Sequence, residues 1–271
     1  MPSPTIALST ASLFARPLDR TMGLASEAGY AGVEVMVTQD PVSQDPSEIR
    51  SLASKRGLDV VALHSPCLML TRKIWGSDPL EKSRRVIRVA ADAGVPLVVV
   101  HPPYRWQLDF HRWTLGSMQA EAARAGVTAA VENMFPLRIG RGAMSFHREG
   151  DGRDLHPAVV LDTSHAAVAG DDLVHTLAEL GDRLRHVHLS DNAGRGRDSH
   201  LPPGEGVLDV DRFLGELVAS GYGGSVTLEV DLRKRLSDEG ALLRLLVSMR
   251  QGVEAELRRP PVATGRPADR W

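Results

Sequence analysis

Short runs of apolar, often β-branched residues recur eight times along the chain. Within each run the apolar residues are continuous rather than alternating, which is typical of parallel strands that are covered by helices. The runs cover residues 5–10, 32–37, 59–65, 96–102, 128–133, 158–163, 184–190 and 225–231. We therefore predict eight strands that are buried on both faces.

Longer segments with apolar residues at helical spacing separate these runs. All but the last end at a glycine, which suits the left-handed backbone that commonly follows a helix. The predicted helices cover residues 18–28, 46–56, 79–93, 112–125, 172–180, 209–220 and 237–257. Residues 138–155 are polar, contain glycine and lack a helical period, so they predict no clear helix for the fifth unit.

Strand and helix alternate through the chain, which favours an α/β fold, a (β/α)8 TIM barrel in a single domain. A length of 271 residues fits one such barrel. A doubly wound open sheet is the alternative, but it favours a glycine-rich loop after the first strand, and residues 10–14 contain no glycine. We assign residues 1–257 to the barrel and residues 258–271, which are rich in proline and arginine, to a mobile tail.

Composition narrows the function classes. The formal net charge is -2, so the overall charge does not favour nucleic acid. No apolar run approaches the roughly 18 to 20 residues of a membrane span, and the N-terminus lacks the features of a signal peptide. The single cysteine excludes an internal disulfide framework, and we expect a cytoplasmic location. The chain also carries ten histidines, and histidine is the commonest metal ligand.

Histidines and carboxylates stand where the predicted strands end. Side chains alternate along a strand, and the residues two positions earlier are small or β-branched, as the interior of a barrel requires. Each polar residue is therefore the last inward-facing position of its strand, at the end of the barrel where active sites lie. The residues at these ends and in the loops that follow them are His64, His101, Glu132, Asp162, His165, His188, Asp198, His200 and Glu229.

Nine imidazoles and carboxylates at one barrel mouth are costly to bury without a cation. We therefore predict that they bind a divalent metal, as one to three ions. Imidazole together with carboxylate suits zinc, manganese or iron, and the sequence does not choose between them. His186 precedes His188 by two residues and faces inward one layer deeper, so we expect it, with Asp191, to support the ligands.

The strand-end motifs resemble those of the xylose isomerase-like TIM barrel superfamily, which includes sugar phosphate isomerases and epimerases and endonuclease IV. The resemblance covers about residues 5–255. The motifs are Gly32-Val33-Glu34, Leu63-His64-Ser65-Pro66, Val100-His101-Pro102, Val131-Glu132-Asn133, Leu161-Asp162-Thr163-Ser164-His165, His186-Val187-His188-Leu189-Ser190-Asp191-Asn192, Asp198-Ser199-His200 with Gly204-Glu205-Gly206, and Leu228-Glu229-Val230.

The resemblance implies two alternative ligand sets. In the ketose epimerases of the superfamily, residues matching Glu132, Asp162, His188 and Glu229 hold one metal. The two glutamates there also move the proton, and the residue matching His165 contacts the substrate. In endonuclease IV, residues matching all nine strand-end and loop positions hold three zinc ions. Because all nine residue types are present here, the ligand set favours a multinuclear centre.

Our functional hypothesis is a divalent-metal-dependent isomerase or epimerase, acting on a sugar or sugar phosphate, in which Glu132, Glu229 and His165 are catalytic. The alternatives are an endonuclease IV-like zinc phosphodiesterase acting on abasic-site DNA, and a metal-containing oxidase or non-catalytic binding barrel. DNA is the less favoured partner, and the sequence leaves the oligomeric state open. The expected substrate-binding residues are Trp75, Tyr104, Arg105, Trp106 and Asn133.

Overall fold

The computed structural model describes residues 3–14, 16–66, 73–135, 138–139, 142–143 and 153–259. The strands in these ranges are β1 Thr5–Ser9, β2 Gly32–Met36, β3 Asp59–His64, β4 Leu97–Val100, β5 Thr128–Glu132, β6 Arg138–Ile139, β7 Gly142–Ala143, β8 Val159–Asp162, β9 Leu184–Leu189 and β10 Ser225–Leu228. The α-helices are α1 Leu18–Glu27, α2 Pro46–Arg56, α3 Pro79–Ala93, α4 Leu108–Gly116, α5 Met118–Arg124, α6 Thr163–Ala169, α7 Leu173–Leu180, α8 Val210–Ala219 and α9 Glu239–Leu257.

Eight of these strands close into a parallel barrel in the order β1-β10-β9-β8-β5-β4-β3-β2. Closure comes from β1, which pairs with β2 on one side and with β10 on the other. The prediction of a single-domain (β/α)8 TIM barrel is confirmed. Most of the predicted tail, residues 260–271, lies outside the described residues. In the part of the chain that the structure describes, no helix is both long and apolar enough to cross a membrane.

Small and β-branched side chains fill the inside of the barrel. Ala62, Val99, Ala130 and Val160 pack together there with no exposed surface, separate from the larger core between strands and helices. These are the inward positions that strand alternation predicts two residues before the polar strand ends. The next inward position of each strand therefore opens at the carboxyl end of the barrel, where the predicted ligands lie.

Aspartate caps and glycine stops set the ends of several helices. The Asp45 carboxylate accepts hydrogen bonds from the backbone N–H groups of Ser47 and Glu48, at 2.8 and 3.2 Å, which satisfies donors that the first turn of α2 leaves unpaired. Gly57 and Gly94 follow α2 and α3 with φ angles of 64° and 74°. Side chains other than glycine rarely adopt this left-handed backbone, so glycine stops the helix there.

Three segments differ from the predicted elements. The predicted helix over residues 112–125 is two helices, α4 and α5, which meet at Ser117 just after Gly116, a residue that disfavours the helix interior. The short helix α6 follows β8 directly and was not predicted. Within residues 138–155, the described part forms the antiparallel pair β6–β7 and a 3-10 helix, Arg153–Leu155; the remainder lies outside the described residues.

Candidate metal centre

The nine predicted ligands form one connected cluster at the carboxyl end of the barrel. Each has a ring nitrogen or a carboxylate oxygen within 3.9 Å of an oppositely charged partner in the set. They are contributed by the ends of β3, β5, β8 and β9 and by the segments that follow β4, β8, β9 and β10. The structure therefore brings together all the side chains that the strand-end pattern singles out.

Glu132, at the end of β5, lies at the centre of the cluster and is 1% exposed. One carboxylate oxygen, Oε2, lies 2.9 Å from His101 Nε2 and 3.5 Å from His64 Nε2. The other, Oε1, lies 3.0 Å from His188 Nδ1 and 3.4 Å from His165 Nδ1. One carboxylate thus faces four imidazoles, so Glu132 is the residue that connects the histidines of the cluster.

The remaining carboxylates surround the same imidazoles from other strands. Glu229, just after β10, places Oε2 2.8 Å from His188 Nδ1. Asp198 lies between His165 and His200, with its two oxygens 3.4 Å and 3.0 Å from their Nε2 atoms. His200 has a φ of 39°, a strained backbone for a residue with a Cβ, and such strain is often retained at functional sites.

Charge coupling shifts the ionisation of the cluster. Burial raises the pKa of the Glu132 carboxyl, but the facing imidazoles of His188 and His101 outweigh it and hold that pKa well below its ordinary value. Burial lowers the pKa of His188, but the carboxylates of Glu34 and Glu229 outweigh it and raise that pKa well above the ordinary range. In the protein without metal, the His188 imidazole therefore binds a proton more tightly than a free histidine does, and a metal ion must displace that proton to bind there.

Asp162 supplies a direct test of whether the site suits a metal. Its Oδ1 caps α6 by accepting from the His165 N–H at 2.7 Å, whereas its Oδ2 is buried without a hydrogen bond. That oxygen lies 3.8 Å from His188 Nδ1 and 3.9 Å from His200 Nδ1. Two ligand atoms of a tetrahedral zinc ion lie about 3.4 Å apart, given bonds of about 2.1 Å. His200 Nδ1 already lies 3.0 Å from the Glu229 backbone carbonyl, so the unpaired Asp162 oxygen and His188 Nδ1 are the two atoms of this group available to a cation, at a separation slightly longer than that in a zinc site.

Three groups of side chains in and below the cluster have ligand atoms that all lie within 4.8 Å of one another. The groups are His64, Glu132, His188 and Glu229; Asp162, His165 and His200; and Glu34, His186 and His188. The first two contain only predicted ligands. The third lies one layer deeper and contains Glu34, which was not predicted as a site residue.

Glu34 is buried on β2, directly beneath the cluster, with no exposed surface. Its Oε2 accepts from His188 Nε2 at 2.8 Å and from His186 Nε2 at 3.0 Å, and its Oε1 accepts from Ser9 Oγ at 3.1 Å. Burial raises its pKa, but the two imidazoles outweigh that and hold it well below the ordinary value. A carboxylate that holds the outer nitrogen of a ligating imidazole is a common supporting group in metal sites.

A family model described as xylose isomerase-like TIM barrel matches residues 22–249. The chain belongs to the xylose isomerase-like TIM barrels. An uncharacterized protein of Mycobacterium tuberculosis is 34% identical to this barrel over 250 residues, which cover 84% of this chain and 89% of the relative.

Two solved structures show how different the activities on this fold are. The 3-keto-D-glucoside 4-epimerase of E. coli has a TM-score of 0.69 and 19% identity, over 92% of this chain and 99% of the epimerase. An AP endonuclease, family 2, from Brucella melitensis has a TM-score of 0.64 and 21% identity, over 85% of this chain and 93% of that one. At these identities the similarity shows the fold alone, so the choice between the two activities rests on the site.

The residues predicted to support the ligands have separate roles in this xylose isomerase-like barrel. His186 is fully buried beneath the centre, and its Nδ1 lies 2.6 Å from Ser225 Oγ. The Asp191 carboxylate does not face the imidazoles: it accepts backbone N–H groups of Gly204, Gly206 and Leu208 at 2.9 to 3.0 Å. Asp191 therefore fixes the shape of the loop after β9 rather than an individual ligand.

The predicted substrate-binding residues of this xylose isomerase-like barrel lie in different surroundings. Asn133 is buried, and its side-chain amide pairs with both the N–H and the C=O of Asp162, which joins the ends of β5 and β8. Trp75 packs against the core with the Arg85 guanidinium 4.4 Å from its ring centroid.

The loop after β4 holds the other three predicted substrate-binding residues. Tyr104 and Trp106 stack on each other there, with their ring centroids 4.9 Å apart. Trp106 is 60% exposed and the neighbouring Arg105 is also exposed. Both side chains are therefore accessible to a ligand at the barrel mouth.

Proposed function

We propose that this barrel is a divalent-metal-dependent sugar epimerase or isomerase that moves a proton on a carbon next to a carbonyl group. The observation that carries the proposal is the position of two glutamates about one imidazole. Glu132 and Glu229 place carboxylate oxygens 3.0 Å and 2.8 Å from His188 Nδ1, from strands on different sides of the barrel mouth. Two carboxylates that meet at one ligand position suit a substrate that needs a base on each face.

The metal, when bound, would polarise the carbonyl and the adjacent hydroxyl of the sugar and stabilise the enediolate. Glu132, Asp162, His188 and Glu229 would hold it. Glu229 is the more open glutamate, with 15% of its side chain exposed against 1% for Glu132, and it lines the large cavity at the barrel mouth. We assign proton removal or return to these two carboxylates, with His165 beside them as a hydrogen-bonding group for substrate oxygens.

Proton exchange tests this proposal with a panel of sugars, so the natural substrate need not be identified first. Ketohexoses are incubated in D2O with protein loaded with manganese or zinc, and NMR follows the loss of the proton next to the carbonyl. We expect Glu132→Gln and Glu229→Gln to reduce the exchange rate by about 10²- to 10⁴-fold, the usual contribution of a general acid or base. The matched control is Glu121→Gln, which removes a carboxylate paired with Arg84 on the outer surface.

Metal content is measured for each variant, so that a lost proton acceptor is distinguished from a lost ion. Failure of every metal-loaded form to exchange or isomerise any ketose or aldose offered would contradict the proposal.

A second candidate function is phosphodiester hydrolysis of the endonuclease IV type. It is favoured by the presence in one cluster of all nine ligand residues, including His64 and His101, whose Nε2 atoms face Glu132. Closely spaced metal ions generate hydroxide and bind the attacked and leaving oxygens in such reactions. Three zinc ions per chain together with cleavage of abasic-site DNA, abolished in Glu132→Gln, would favour this function over the epimerase. A single metal ion per chain and intact DNA would exclude it.

A further inference from the structure

A cavity of about 750 Å³ opens beside the metal centre and extends away from it. Asp198, His200 and Glu229 line the end next to the centre, and the other end lies over the carboxyl ends of β1 and β2. Cavities of roughly 300 to 1,000 Å³ hold ligands of drug size, larger than one sugar ring. A sugar bound at the metal centre therefore leaves much of this cavity free for a substituent.

The distal part of the cavity presents apolar side chains. Phe14, Met36, Val37, Leu18 and Ile74 line it. Phe14 is 51% exposed, which is an unusually large exposure for a phenylalanine. Val37, Leu18 and Ile74 are each less than 5% exposed and are packed into the protein behind the cavity surface. Apolar side chains that face a ligand cavity gain free energy when a ligand covers them.

Two hydroxyl groups in this part of the cavity are already bound within the protein. Thr10 Oγ1 accepts the Met36 N–H at 2.8 Å. Ser12 Oγ donates to the Leu228 carbonyl at 3.2 Å and accepts the Val230 N–H at 2.9 Å. The Ser12 hydroxyl has therefore used its donor, and the Thr10 hydroxyl has used one acceptor site, so these two groups offer few hydrogen bonds to further sugar hydroxyls.

The charges of the cavity do not suit an anion. Arg16 donates to the Leu236 carbonyl at 2.7 Å and to Glu239 at 2.8 Å, and Arg233 forms two hydrogen bonds with Asp231, at 2.8 and 2.6 Å. Among the lining residues that the structure describes, these two guanidinium groups face four carboxylates. The lining carboxylates are Asp40, Asp198, Glu229 and Asp231. Both guanidinium groups already bind acceptors within the protein, so a phosphate group there would have to displace these partners.

We propose that this cavity binds an uncharged apolar substituent, alkyl or aryl, attached to the sugar on which the metal centre acts. This inference rests on the proposed sugar function and restricts it, since it excludes sugar phosphates as the preferred substrates. The distal cavity is then the part of the site that selects the substrate, while the cluster at the barrel mouth holds the reacting carbons.

Calorimetric titration of the metal-loaded protein compares three ligands that share one ketose: D-fructose, D-fructose 1-phosphate and 1-deoxy-1-phenylamino-D-fructose. We expect the phenylamino ligand to bind about 10- to 100-fold more tightly than fructose, the gain that burial of one aromatic ring provides. The phosphate ligand gains nothing. Phe14→Ala reduces the advantage of the phenylamino ligand and leaves fructose binding unchanged. The matched control is Leu108→Ala, which removes an apolar side chain of similar exposure, 53%, that does not line the cavity.

The uncharged fluorescent probe N-phenyl-1-naphthylamine tests the cavity without a sugar. Probe binding that is weakened by Phe14→Ala and unaffected by Leu108→Ala supports the apolar subsite, even if none of the three sugars binds, in which case the sugar function alone fails. The inference is overturned if fructose 1-phosphate is the tightest of the three ligands, if the phenyl group brings no gain, or if the two variants have equal effects.

Discussion

Replacement of Glu34 by glutamine tests how the metal centre is supported from below. Glu34 is fully buried, and one of its oxygens accepts from the Nε2 atoms of both His186 and His188. A carboxylate accepts hydrogen bonds but donates none. The proton of a neutral His188 is therefore held on Nε2, and the lone pair of Nδ1 is directed towards Glu132 and Glu229.

Glutamine keeps the shape of the side chain but replaces one acceptor by a donor. If its NH2 group faces His188, it donates to Nε2 and forces the ring proton onto Nδ1, which then cannot bind a metal. If its oxygen faces His188, the negative charge that makes the imidazole a better ligand is still lost. Loss of such a supporting group typically weakens metal affinity by about 10- to 100-fold. That corresponds to about 1.4 to 2.7 kcal/mol.

Zinc affinity is measured by competition with a chelator, and the pKa of His188 in the metal-free protein is measured from the pH dependence of the ¹⁵N shifts of its ring. We expect Glu34→Gln to weaken zinc binding and to lower the pKa of His188 in the metal-free form, because one of the carboxylates that raise that pKa is lost. Glu121→Gln, on the outer surface, provides the control. The reasoning is refuted if Glu34→Gln binds zinc as tightly as the unmodified protein and the pKa of His188 is unchanged.

Four further outcomes are expected. A Cβ on Gly206 would collide with the Asn192 carbonyl and with the Asp191 carboxylate, so Gly206→Ala lowers the free energy of unfolding in urea by about 1–3 kcal/mol. Gly215, in α8, has nothing within 4 Å of such a Cβ, so Gly215→Ala raises it by about 0.5–1 kcal/mol, and equal effects of the two variants would contradict this. Asn133→Ala leaves two buried backbone groups of the β8 end unpaired and costs about 1–3 kcal/mol by the same measurement, and an unchanged free energy of unfolding would contradict this. Burial lowers the pKa of His200, but Asp162 and Asp198 outweigh it and raise that pKa to about 9. In the metal-free protein its stabilising contribution is therefore complete below about pH 6.5 and is lost as the pH rises through 9, so the stability difference from His200→Asn shrinks over that range; a widening difference would refute the sign.

The strand ends were predictable because two simple periodicities coincide there. A period of two along each strand identifies the inward positions, and parallel pairing places the ends of neighbouring strands at one rim. Glu132, Asp162 and His188 are found from these rules alone. Their pairing could not be predicted, because distances of about 3 Å between side chains depend on barrel closure between residues far apart in the chain.

Glu34 was missed because it lies inside a strand rather than at its end. The residues of β2 are shifted relative to the ligand layer, so that Glu34 pairs in register with Ser9 and Ala62. A signal was available in the sequence, since a carboxylate between two valines in a buried strand requires a partner. His186, which faces inward one layer below His188, is that partner.

The role of Asp191 could not be read from the sequence for a different reason. Its partners are backbone amides of a loop, and backbone groups carry no sequence signature. The unpredicted helix α6 likewise depends on the Asp162 side chain as its N-cap. From the sequence alone Asp162 was interpreted as a metal ligand, so its role as a helix cap was not recognised.

The hydrogen bonds to Asp191 have an evolutionary consequence. The loop after β9 carries Asp198 and His200, and the Asp191 carboxylate helps to fix its shape through backbone N–H groups alone, at Asn192, Gly204, Gly206 and Leu208. Ser164, on α6 and outside this loop, donates to the Asp198 carboxylate at 2.7 Å. The loop residues bind the Asp191 carboxylate through their backbone and not through their side chains, although a Cβ does not fit at Gly206. Val207 in this loop is 67% exposed. Descendants of this barrel can therefore exchange the outer surface of the loop, and with it the molecules they admit, while both ligands keep their positions.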